Sequence, residues 1–128
     1  MKINIGKYPN HRFYHNWLYN WFGYSPKQRT SVKIHNYDTW SMDHTLAHIV
    51  LPMLVQLKAT QHGHPANLTE QEWDDILDKM IWAFEQKCRD DWMDDYDYSW
   101  NSEEAKVHQE RMTNGFKLFG KYYESLWD

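Results

Sequence analysis

His44 and His48 stand four residues apart. On a helix that spacing stacks both imidazoles on one face. Two imidazoles aimed at one centre can hold a divalent metal when carboxylates complete the shell. Asp43 adjoins the pair, Glu85 lies between Ile81 and Cys88 beside an apolar stripe, and His108 falls on the apolar stripe of a later segment. Packed helices would make Asp43, His44, His48, Glu85 and His108 candidate ligands of one buried site for zinc, manganese or iron. The structural alternative is that the imidazoles hydrogen-bond a tyrosine hydroxyl or a backbone carbonyl, since buried polar groups need partners. The spacing has neither the Glu of a zincin helix nor the Glu-x-x-His pairs of a di-iron bundle. No cofactor is therefore expected, and a metal stays as the rival reading.

Other chemistry finds less support. From Asp95, an EF-hand alignment places Asp95, Asp97, Ser99, Asn101 and Glu103 at alternate ligand positions. It fails at Trp100, where glycine makes the turn, and at Lys106, where the bidentate Glu belongs. The acidic run Asp90, Asp91, Asp94, Asp95, Asp97 then reads as a solvated connector or an acidic contact face. Cys88 sits among Ile81, Phe84 and Trp92 and reads as an inert core thiol. The five glycines are not spaced as a phosphate loop, and no serine occupies a nucleophile elbow.

Helices must position these groups. A central helix is expected from Ser41, its N-cap, to about Thr60; its apolar residues cover nearly every side, and Pro52 inside it should kink it. Thr69-Glu70-Gln71-Glu72 is a capping box opening a second helix. Trp73, Leu77, Met80, Phe84 and Cys88 form its stripe, which fades near Trp92. Asn101 and Glu104 are a cap pair for a third, along which Ala105, His108, Met112, Phe116, Phe119, Tyr123 and Leu126 step by three or four. Upstream, Ile3 and Ile5, like Val32 and Ile34, alternate with polar neighbours and predict a two-stranded ribbon. Tyr14, Trp17 and Trp21 share a face of a short aromatic helix ending near Gly23. The expectation is one mainly α domain over 1–128: a three-helix bundle with a small N-terminal ribbon and an aromatic-rich helix.

The chain of 128 residues carries 8 Trp, 9 Tyr and 5 Phe, more rings than so small a core readily buries. Trp17, Trp21, Trp40, Trp82, Trp100 and Trp127 lie off the main stripes or near element ends, where Trp beside charged neighbours makes an interface hot spot; the alternative is that they plug a thin core. A formal charge of −4 lacks the basic footprint of nucleic-acid binding. One cysteine rules out a disulfide scaffold. The longest apolar run, Ile49 to Val55, is too short to span a membrane. The N-terminal residues lack the apolar region of a secretory signal.

Lys2–Gly6 (KINIG), Tyr37–Ala47 (YDTWSMDHTLA), Leu51–Leu54, Gln56–Lys58, His62-Gly63, Met80–Gln86 (MIWAFEQ) and Gly120–Trp127 (GKYYESLW) stand out as blocks. Together they resemble a family of small proteins of tailed bacteriophages. Members of that family often carry insertions before Val32, between His64 and Trp73, and after Trp92. The resemblance implies a phage origin and little chemistry; for a phage protein with one thiol and no signal segment, the expected place is the host cytoplasm or the virion. It does include Asp43, His44 and Glu85. The combined expectation is a non-catalytic phage protein acting through contacts with a virion, host or defence protein. The rival is a small helical metalloenzyme.

Overall fold

Ile3 and Ile5 lie in strand β1, Lys2–Ile5, and Val32 in strand β2, Thr30–Lys33, which stops before the Ile34 expected to alternate with it. The computed structural model pairs them antiparallel with Ile3 opposite Val32 and Ile5 opposite Thr30. It describes residues 1–9, 13–89, 91 and 102–128. Contacts divide the chain into two compact units, Met1–Trp40 and Ser41–Asp128. The architecture is mainly helical, a helical bundle with this short ribbon near the N-terminus.

In the first unit the ribbon continues through Gly6, whose N–H donates to the Arg29 carbonyl at 2.8 Å while its own carbonyl accepts from Gln28 Nε2 at 2.7 Å. An isolated two-stranded ribbon is marginal, and all eight strand residues are exposed. Helix α1, Phe13–Phe22, ends as its sequence predicts: Gly23 follows at φ 65°, a left-handed conformation open to a residue without a Cβ. A 3-10 turn, Asn36–Thr39, is fixed by Asp38, whose carboxylate accepts from the His35 N–H at 2.8 Å. The Met1 ammonium lies 3.1 Å from the same carboxylate.

The second unit is a bundle of three long helices. Helix α2 spans Met42–Thr60 with Ser41 as its N-cap and runs through Pro52, which has no N–H to give to the carbonyl four residues earlier. Helix α3, Glu70–Arg89, opens on a complete capping box: Thr69 Oγ1 accepts from the Glu72 N–H at 3.2 Å, and Glu72 Oε2 accepts from the Thr69 N–H at 2.8 Å. Helix α4, Glu103–Lys121, is capped by Ser102, whose hydroxyl accepts from the Ala105 N–H at 3.1 Å. The predicted cap pair was therefore placed one residue early. The helix also stops before Tyr123 and Leu126, giving way to a 3-10 turn at Tyr123–Ser125. The connector acids Asp90, Asp94, Asp95 and Asp97, together with Trp92, Trp100, Asn101 and hence the calcium alignment, lie outside the described residues.

The period of α3 builds the core. Trp73, Leu77, Met80, Ala83 and Phe84 are buried, and Leu77 and Met80, the largest fully buried side chains, each contribute roughly 1.5–3 kcal/mol by leaving water. This stripe packs against α2 through Ala47 and Leu54 and against α4 through Phe116 and Phe119. Phe84 meets both phenylalanines edge-on, at centroid distances of 5.2 and 5.1 Å. The helices α3 and α4 approach most closely at Gly115, where a Cβ would stand 2.4 Å from the Ala83 Cβ and 2.7 Å from the Lys79 carbonyl oxygen.

Candidate functional site

The start of α2 meets the end of α3. Lys87 lies in the last turn of α3, so its carbonyl is one of the four that the helix leaves without an internal donor. His44 Nδ1 sits 3.1 Å from that oxygen. A carbonyl only accepts, so Nδ1 carries the proton, and in the neutral ring Nε2 keeps its lone pair. His48 Nε2 lies 3.1 Å from His44 Nε2, and the two rings meet edge-on at 84° with centroids 4.6 Å apart. With His44 so fixed and both rings neutral, the proton between them belongs to His48 Nε2. On the same corner the Lys87 ammonium pairs with Asp43 Oδ2 at 2.5 Å. That hydrogen bond, with help from the His44 N–H, holds the Asp43 carboxyl below its usual range.

The five residues expected to converge do not form one buried centre. Asp43 and His48 are exposed at the corner and His44 is half-buried. Glu85 is exposed on α3: it follows buried Phe84 directly, and one residue turns a helix about 100° away from the stripe. His108 is half-buried between α3 and α4, where Nε2 lies 3.0 Å from Gln86 Oε1 and the ring packs edge-on against Trp82 at 4.9 Å. Among the described residues, no three His, Cys, Asp or Glu side chains gather as metal ligands. Cys88 packs against the core, and burial pushes its thiol up, away from the reactive thiolate.

The tryptophans divide. Trp17, Trp21, Trp40 and Trp127 are exposed, Trp40 at 91%. Trp82, expected at an interface, instead lies partly buried beside Ala105 and Met112, with the Arg111 guanidinium 3.8 Å above its ring. The division extends to the first unit as a whole: all ten Phe, Trp and Tyr rings of residues 1–40 are exposed, from Tyr14 at 40% to Trp40.

Two features escaped the sequence. Lys87 anchors both Asp43 and His44, and the one hint was a basic residue in the last turn of an amphipathic helix. An open apolar groove of about 740 Å³ runs along the second unit, lined by Val50, Met53, Leu57, Phe119, Tyr123 and Leu126 among others. Its sign was α2's apolar residues on every side, more than one neighbouring helix can cover. Comparison with family models, curated proteins and solved structures finds no match to this chain.

Proposed function

We propose that this chain is a bacteriophage protein that works through contacts with another protein, in the virion or on a host or defence factor, rather than through catalysis. The exposed rings of residues 1–40 carry the reading. An apolar surface that a lone domain leaves in water marks a binding site, and Trp and Tyr dominate the energetics of such sites because each covers ~150–250 Å² with few rotatable bonds. Trp17 and Trp21 sit side by side on α1, with ring centroids 6.3 Å apart, and Trp40 stands exposed at the end of the same unit. The phage setting comes from the resemblance in the Tyr37–Ala47, Met80–Gln86 and Gly120–Trp127 blocks.

The test joins location to rings. Quantitative mass spectrometry of purified particles separates a virion part, present in stoichiometric copies, from an intracellular effector, absent from particles. In phage carrying Trp17→Ala, Trp21→Ala and Trp40→Ala together, particle incorporation or growth should fall while the thermal unfolding of the isolated protein stays unchanged. Wild-type incorporation and growth of that variant would refute the contact surface.

A further inference from the structure

We infer that His44 and His48 form a two-nitrogen chelate for a divalent transition ion of the zinc, nickel and copper class, held at the surface where α2 begins. The inference rests on the geometry of this pair alone and stands apart from the contact reading.

The spacing of the nitrogens fits a metal. A tetrahedral centre with metal–nitrogen bonds of ~2.0–2.1 Å sets two ligating nitrogens about 3.3 Å apart, and a square-planar or octahedral one about 2.9 Å. The two Nε2 atoms stand 3.1 Å apart, between those values. The ligands also come from adjacent turns of one helix, so the chelate needs no rearrangement of the bundle.

The surroundings prepare one of the two ligands. A metal-bound imidazole commonly gives its other N–H to a carbonyl or carboxylate, which fixes the tautomer and the ring plane. His44 does this already: its Nδ1–H donates to the Lys87 carbonyl, leaving the Nε2 lone pair facing His48 Nε2. His48 is exposed, so its ring turns and its proton moves to Nδ1 through water, placing a second lone pair on the ion. The ion takes the place of the proton now shared between the two Nε2 atoms. The ammonium of Lys87, whose carbonyl holds His44, is paired with Asp43, which lowers its repulsion of a cation. Water completes the shell, since no third His, Cys, Asp or Glu joins the pair among the described residues.

The experiment is a calorimetric titration of the full chain, prepared without a histidine tag, with zinc chloride. One equivalent should bind, and His48→Ala, which changes only an exposed side chain, should weaken binding at least about tenfold. His44→Ala should do the same. His62→Ala, which removes an imidazole at the far end of α2, should leave the affinity unchanged. In nitrogen-15 spectra, zinc should shift the ring signals of His44 and His48 together. Zinc affinity unchanged in His48→Ala, or no binding up to about 1 mM zinc, would overturn the assignment.

Discussion

In Ser41–Asp128, Trp73, Leu77, Met80 and Ala83 are at most 2% exposed, whereas the one buried side chain among the described residues of Met1–Trp40 is His15, at 8%. The two units draw on the same residue types to opposite ends. In the bundle, apolar residues fall at intervals of three and four along α3 and α4, and the rings among them close a core: Phe84 meets Phe116 and Phe119, and Trp73 meets Tyr122 at 5.5 Å. In α1, rings or apolar groups occupy almost every position from Phe13 to Phe22, so no orientation of a ten-residue helix could bury them all. Ring content alone therefore separates nothing. Periodicity marks the apolar residues that close the core, and its loss marks the rings left exposed.

The largest expected effect tests this contrast directly. Leu77→Ala or Met80→Ala opens a cavity at a fully buried site and should cost about 2–5 kcal/mol, measured by urea unfolding. Trp21→Ala or Trp40→Ala removes a larger side chain from an exposed site and should change stability by no more than about 0.5 kcal/mol. A cost for Trp40→Ala near that for Leu77→Ala would erase the distinction between the units.

A smaller effect shows that burial, rather than membership of one unit, is the cause. Gly115 and Gly120 lie on the same helix. A methyl group at Gly115 would meet the Ala83 Cβ and the Lys79 carbonyl well inside contact distance, and nothing stands within 4 Å at Gly120. The Lys79 oxygen belongs to a helix backbone and cannot swing aside, so Gly115→Ala should destabilise by about 1–3 kcal/mol. Gly120→Ala should stabilise by up to about 1 kcal/mol, because alanine restricts the unfolded chain and favours helix. The pair gives opposite signs in one unfolding assay, and equal signs would show that α3 and α4 do not touch at Gly115.

The same logic explains what the sequence made legible. The α3 stripe, the Thr69–Glu72 capping box and the Gly23 stop all depend on residues within a turn or two of their neighbours, and all are seen as expected. The candidate centre depended on helix rotation, which no single segment encodes. Two residues of one helix, His44 and His48, were rightly placed together. The ligands expected from other helices went elsewhere: Glu85 to solvent and His108 to Gln86. The Arg111 guanidinium over Trp82 comes from α4, so that contact could not be read from the helix that carries the ring. Contacts such as Lys87 with Asp43 and His44 join residues more than forty positions apart and follow from packing alone.

Each unit also holds a carboxylate below its usual range, and acid should discriminate between them with the smallest effect. In Asp38 the main cause is the His35 N–H, with the Met1 ammonium adding to it; in Asp43 it is the Lys87 ammonium. A carboxyl whose folded value is depressed binds fewer protons folded than unfolded, so its contribution is complete above about pH 4 and fades as pH falls through the folded value. Asp43 ties α2 to α3, so its loss should reach the global unfolding of the bundle. The pair is largely exposed and screened, and its worth is held to less than about 1 kcal/mol. Asp43→Asn should therefore lower the urea midpoint slightly at pH 7. The difference should shrink in 1 M salt, roughly a 3 Å screening length, and vanish near pH 2. Asp38 closes a local turn, so Asp38→Asn should instead quicken amide exchange in residues 30–39 without moving the bundle's midpoint. An Asp43→Asn difference that survived both acid and salt would mean that a neutral hydrogen bond, and no charge, joins the two helices at that corner.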